Sequence, residues 1–195
     1  MIDNRLIERI SVLGTERYAP KGTFLMRQGD HSDHFFLFRR GLAKAYYETI
    51  EGREFIKSFI RENECIASMQ VIAAGNPSPF NLMTVEDSCI LEIPGNTLTT
   101  VIEEEAHFSR ALNSLLIQVA MKKEQREYEL LCLSAEQRYS MLCTRDPELI
   151  RRLSQNDVAR YLGITPVALS RIRNRARSKS LLNRERHNTN SPHKC

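Results

Sequence analysis

Val167, Ser170, Arg171 and Asn174 fall on one stripe of a predicted helix. The chemistry open to them is recognition: a guanidinium, a hydroxyl and a carboxamide on one face can address base edges and phosphates. Other constellations fit chemistry less well. His31, Asp33 and His34 share a loop and suggest a metal. Their His-x-x-His spacing does not match the His-x-His pair with a following Glu of a jelly-roll dioxygenase site, so a polar turn is expected. Glu103, Glu104 and Glu105 stand at a helix-start junction, where they serve the helix dipole. Cysteines 65, 89, 132, 143 and 195 form no CxxC pair and read as reduced, mostly buried thiols. There is no Ser/His/Asp or Cys/His arrangement and no phosphate-cradling Gly-rich loop. Neither an enzyme nor a metal or cofactor is expected.

The elements around the stripe are well marked. Ser154 is a good N-cap, and Asp157 completes a variant capping box. Val158, Ala159 and Leu162 give the first helix its apolar face, and Gly163 suits a left-handed position after its last turn. Thr165 caps the second helix and Pro166 takes its first position. Leu169, Ile172 and Ala176 form the inner stripe. From Leu153 to Arg175 the pattern is two short helices about a tight turn, a helix-turn-helix. The alternative is an ordinary helical hairpin with a solvated basic face.

Charge supports the first reading. From Arg145 onward there are twelve Lys and Arg against four Asp and Glu, while the preceding residues carry sixteen against twenty. A basic third beside an acidic remainder is the footprint of a nucleic-acid-binding module joined to something else. With 42% hydrophobic and 27% charged residues the chain is ordinary for a soluble globular protein. It has no apolar run of membrane-spanning length and no signal-peptide pattern, so a cytoplasmic protein without membrane contact is expected.

Upstream, Ile2, Leu6, Ile10 and Leu13 space out as a short amphipathic helix. From Arg17 to Pro94, turn signals recur roughly every ten residues, the spacing of an all-β sandwich or barrel. The strands predicted are Thr23–Arg27, Phe35–Arg39, Ala43–Thr49, Glu54–Phe59, Phe80–Val85 and Ser88–Pro94, with Phe55 and Phe59 alternating as in a half-buried strand. After Pro94 the pattern is helical. The segment Ala106–Leu133 lacks Gly and Pro, and Phe108, Leu112, Leu115 and Val119 repeat as a heptad-like seam. A helix this long pairs with a second copy as a two-fold dimer, or packs on its own β domain. Ser134 and Gln137 form a capping box, and Asp146-Pro147 caps a further helix.

This order of parts resembles the Crp/Fnr superfamily of bacterial transcription regulators. The resemblance rests on Phe24 to Asp30, the Arg40-Gly41 turn, the Glu51-Gly52-Arg53-Glu54 hairpin, and Leu162-Gly163-Ile164-Thr165 through Ser170-Arg171-Ile172. It implies an α+β fold: a jelly-roll sensor domain (1–104), a dimerisation helix (105–134), a helix-turn-helix domain (135–182) and a disordered tail (183–195). It implies a homodimer on double-stranded DNA, with an unidentified small-molecule effector. Carried over residue by residue, Pro166, Val167 and Arg171 hold the base-reading positions, with Ser170 beside them. Ser154, Asn156 and Thr165 hold phosphate-contacting positions, and Arg173, Arg175 and Arg177 are further phosphate candidates. Only Arg171 keeps the family's usual type, and no wing hairpin is evident after Leu182. The alternative is a ligand- or protein-binding module whose helix-turn-helix no longer reads sequence.

The family's phosphate-binding cassette uses a Gly-Glu pair and an Arg pair. Here Ala67-Ser68 and Pro79-Phe80 stand in those places, and no Arg or Lys occurs between Glu62 and Thr100. The iron–sulfur version needs an N-terminal cysteine cluster, and residues 1–64 contain no cysteine. A buried phosphodiester needs a counter-charge, so neither cyclic AMP nor cyclic GMP should bind tightly. Melting the protein with each nucleotide should leave its midpoint unchanged; a rise of several degrees would count against the expectation.

Overall fold

The computed structural model describes residues 11–104 and 106–188, apart from the side chains at 98, 99, 102–104, 106, 107, 177 and 179–188. The predicted N-terminal helix therefore lies mostly outside the described residues, as do Glu105 and the side chains of Glu103 and Glu104. The strands are β1 (Thr15–Ala19), β2 (Phe24–Met26), β3 (Phe35–Arg40), β4 (Ala43–Glu48), β5 (Glu54–Ile60), β6 (Cys65–Ile66), β7 (Asn81–Thr84) and β8 (Ser88–Ile93). The helices are α1 (Met69–Ala74), α2 (Gly95–Glu104), α3 (Ala106–Cys132), α4 (Ala135–Arg145), α5 (Pro147–Arg152), α6 (Gln155–Leu162) and α7 (Pro166–Asn188). Contacts divide the chain into two units after Tyr128, inside α3.

In the first unit the strands make two antiparallel four-stranded sheets, ordered β1-β8-β3-β6 and β2-β7-β4-β5. Their inner faces meet on Met26, Phe36, Phe38, Ala43, Ala45, Ile60, Leu82 and Ile90. The Phe35–Phe38 run is continuous rather than alternating because β3 is covered on both faces. Phe36 and Phe38 enter the sandwich, while Leu37 joins Leu91, Ile93 and Leu13 behind it. Strands buried on both faces read as apolar runs.

Two strands were not predicted. β1 has four exposed residues in five, so it carries no apolar period, and its five-residue pairing with β8 holds it. β6 is two residues long and pairs with Phe36 and Leu37. On β5 the alternation is present with the faces exchanged: Ile56 and Ile60 are buried while Phe55 is 40% exposed. A shift of one residue turns every side chain to the other face, and here β4 and β5 also slip register between Ala45 and Tyr46. The described cysteines are less buried than expected, and Cys132 is exposed. Burial pushes the Cys65 thiol up to about 11, which keeps it protonated.

Gly41, at φ +99°, closes the β3–β4 turn, and a Cβ there would meet Ser88 Oγ at 2.2 Å and Ser88 Cα at 2.7 Å. Both the left-handed backbone and the contact require glycine. Gly41→Ala should cost about 2–4 kcal/mol of stability, read as a lower urea midpoint at unchanged slope.

Candidate nucleic-acid interface

The second unit is helical, and its helix pair is built from local hydrogen bonds. Ser154 Oγ accepts the Asp157 N–H at 3.1 Å and donates to Asp157 Oδ2 at 2.5 Å. α6 ends at Gly163, φ +67°. There the Gly163 N–H donates to Arg160 O at 3.3 Å and the Ile164 N–H to Ala159 O at 3.0 Å, the paired bonds of a Schellman ending. Thr165 Oγ1 accepts the Ala168 N–H at 3.2 Å, capping α7 with Pro166 as its first residue. Val158, Ala159 and Leu162 are buried in α6, and Leu169 and Ile172 in α7. Ala159 is fully buried, and its small side chain suits a close approach of backbones.

Pro166, Val167, Ser170, Arg171 and Asn174 are all exposed, Val167 at 61%. Ser154, Asn156 and Thr165 are exposed as well. The hydroxyl of Ser154 is already engaged with Asp157 in both directions, so its backbone is what it has left to offer a phosphate. Thr165 keeps its hydroxyl proton. Arg173 and Arg175 depart from expectation, since both turn toward α4. Arg173 hydrogen-bonds Tyr139, whose hydroxyl burial holds above its ordinary pKa. Arg175 Nη1 stands 3.7 Å from Glu136 Oε2. An exposed pair of that length contributes less than about 1 kcal/mol, so Arg175 can exchange it for a phosphate. Arg177 lies outside the described side chains.

α7 does not stop near Arg175 but continues to Asn188, into the span expected to be a disordered tail. No Gly or Pro interrupts Val167 to Ser191, and Arg, Lys and Leu are good helix formers. Residues 189–195 lie outside the described residues.

Arg138 was not singled out by the sequence reading. Its Nη1 donates to Leu133 O at 2.6 Å and reaches Leu130 O and Glu129 O at 3.5 Å, while Nη2 donates to Leu162 O at 3.0 Å. One guanidinium thus terminates both α3 and α6, where orphan carbonyls and the negative dipole end favour a cation. Glu129, 3% exposed, adds a second tie through Arg145 Nη1 at 2.7 Å. The available signal was an arginine in the first turn of α4, where the helix dipole disfavours it.

On α3 the expected seam faces inward at its start. Phe108 is 4% exposed and packs with Val101, Leu13 and Ala111 of its own chain, so it is not open to a second copy. Leu112 and Leu115 are half-buried and Val119 is 37% exposed. The open stripe is Ile117, Met121, Tyr128 and Leu131, exposed by 61, 62, 52 and 76%. In the sensor, the expected cassette becomes β6, α1 and the turn to β7. Ser68, before α1, is fully buried with no hydrogen-bond partner on its Oγ. His34 Nδ1 stands 3.4 Å from Asp33 Oδ1 and from Ser32 Oγ.

Residues 16–105 match the model of the cyclic nucleotide-binding domain family. The chain is 24% identical over 180 residues to the transcriptional activator protein anr of Pseudomonas aeruginosa, covering 87% of this chain and 73% of that one. It is 23% identical over 196 residues to the fumarate and nitrate reduction regulatory protein of Shigella dysenteriae, covering 92% and 76%. Among solved structures it is similar to CLP, a c-di-GMP-responsive global regulator of Xanthomonas campestris. That match has a TM-score of 0.75 and 18% identity, over 92% of this chain and 94% of that one.

Replacing Arg138 with methionine should leave the α3 and α6 carbonyls without a donor and cost about 1–3 kcal/mol. Urea unfolding followed by circular dichroism measures it. Arg138→Lys should recover only part, because an ammonium cannot span both helix ends.

Proposed function

Because the chain belongs to the Crp/Fnr superfamily of transcription regulators, we propose that it binds an inverted-repeat operator in double-stranded DNA as a homodimer. The observation that carries this reading is the α6–α7 pair: its junction is closed by its own hydrogen bonds, and Ser170 and Arg171 stand exposed. Arg171 contacts a guanine edge, Val167 a thymine methyl, and Pro166 and Ser170 flank them. Asn156, Thr165 and the Ser154 backbone position the phosphates, joined by Arg173, Arg175 and Arg177 on release from α4. The second copy pairs along α3 through Ile117, Met121, Tyr128 and Leu131, since an exposed apolar stripe of this extent marks an interaction surface. A change at the sensor alters the packing of α3 and so the separation of the two readers.

The protein acts in the cytoplasm and not as an enzyme; among the described residues no helix is long and apolar enough to cross a membrane. Its sensor does not answer cyclic AMP, because β6 to β7 contains no Arg or Lys. One observation favours a second reading, a ligand- or protein-binding module that does not read sequence: no strand follows α7 among the described residues, so a wing is missing.

Selection of bound fragments from a random DNA pool separates the two. The expected outcome is an inverted repeat with half-sites about one helical turn apart; recovery of unrelated fragments would favour the second reading. Arg171→Ala should relax one base position in each half-site, a loss of about 1–3 kcal/mol of discrimination there.

A further inference from the structure

Lys57 lies on β5 with its Nζ 3.8 Å from the centroid of the Phe80 ring and 5.6 Å from that of Tyr47. Phe80 is core, 2% exposed, so the ammonium stands at the wall of the sandwich rather than in bulk water. The other cations in comparable places have their acids. Lys44 is 3.0 Å from Glu54, Lys122 is 2.9 Å from Glu64, and Arg145 is 2.7 Å from Glu129. Among the described residues no carboxylate pairs with Lys57. What faces it instead is a like charge, Lys123 on α3. Burial, reinforced by Lys123, brings the Lys57 pKa down to about 8.

An ammonium held this way is costly. Two ring faces orient it and offset part of the cost, but they do nothing about the second lysine. A methionine would fill the same volume without charge. The arrangement lacks one thing, an anion able to meet both ammonium groups.

We propose that Lys57 and Lys123 together bind a small organic or inorganic anion, through a carboxylate or phosphate group seated between β5 and α3. The cassette expected to take the charge of a ligand, β6 to β7, contributes an aromatic ring at Phe80; the positive charge arrives from β5 and α3 instead. A cyclic nucleotide remains a poor fit, because Ala67-Ser68 offers no carboxylate to a ribose hydroxyl. Bound anion would tie α3 to the sheet at a second point, beside the Lys122–Glu64 bond. Its role as the effector rests on the regulator reading, whereas its binding does not.

The test uses the full chain without DNA. Inorganic phosphate and benzoate are titrated separately at ionic strength held constant with sodium chloride, and melting is followed. A saturable rise in the midpoint with at least one of them is expected. It should disappear in Lys57→Met, which removes the charge and keeps the volume and should melt no lower than the parent, and weaken at least about tenfold in Lys123→Gln, the loss of one of two charge-assisted contacts. No saturable response in the parent protein, or a response that survives either substitution, would overturn the proposal. Because no DNA is present, failure here leaves the operator reading standing, and failure of the operator selection leaves the anion site standing.

Discussion

Every helix ends in carbonyls that its own backbone cannot satisfy, and in this chain the ends of α3 and α6 meet the same guanidinium. Arg138 bonds Leu133 O and Leu162 O at once. α6 therefore cannot shift against the end of α3 without leaving a carbonyl unpaired in a half-buried place. α7 in turn is set on α6 through the Gly163 turn and the buried Val158, Ala159, Leu162, Leu169 and Ile172. The exposed reading face thus inherits its position from a side chain that touches neither α7 nor solvent-facing chemistry. Glu129 with Arg145 braces the same junction from the other side of α4.

The first unit answers a different constraint. Its sheets bury Phe36 and Phe38 between them and Leu37 behind, which leaves little room for polar groups unless each is matched. Lys44 is nearly inaccessible and lies beside Glu54. Thr84, also buried, donates to Pro20 O and accepts from the Thr23 N–H. Against that background two features stand apart: the unpartnered hydroxyl of Ser68 and the acid-free ammonium of Lys57. Both belong to the part of the domain where the related family holds its ligands, and neither contributes to packing what an apolar side chain would.

How far the fold was readable followed the range of the forces involved. Caps at Ser134, Asp146, Ser154 and Thr165 were visible because each is a bond between residues three apart. β1 was not visible, because an exposed edge strand has no apolar period and exists through its pairing with β8. The exposed face of β5 was misread because Phe and Ile are equally apolar, and only the sandwich decides which of them it admits. On α3 the repeat through Phe108 was real, but it packs against Val101 at its start; a heptad spacing says that a face will be covered without saying by whom.

By itself the sequence determined the helix pair, its turn, the basic character of α7 and the succession of strands then helices, because these depend on local backbone geometry and on the order of residue types. The tertiary structure decided what lies across from what. It turned Arg173 and Arg175 toward α4, drew Arg138 between two helix ends, covered Phe108 and set Lys57 against Phe80 opposite Lys123. Each of those outcomes depends on groups distant along the chain being brought within a few ångströms. Burial and unmatched charge acquire their energies only at that separation, so no spacing in the sequence could report them.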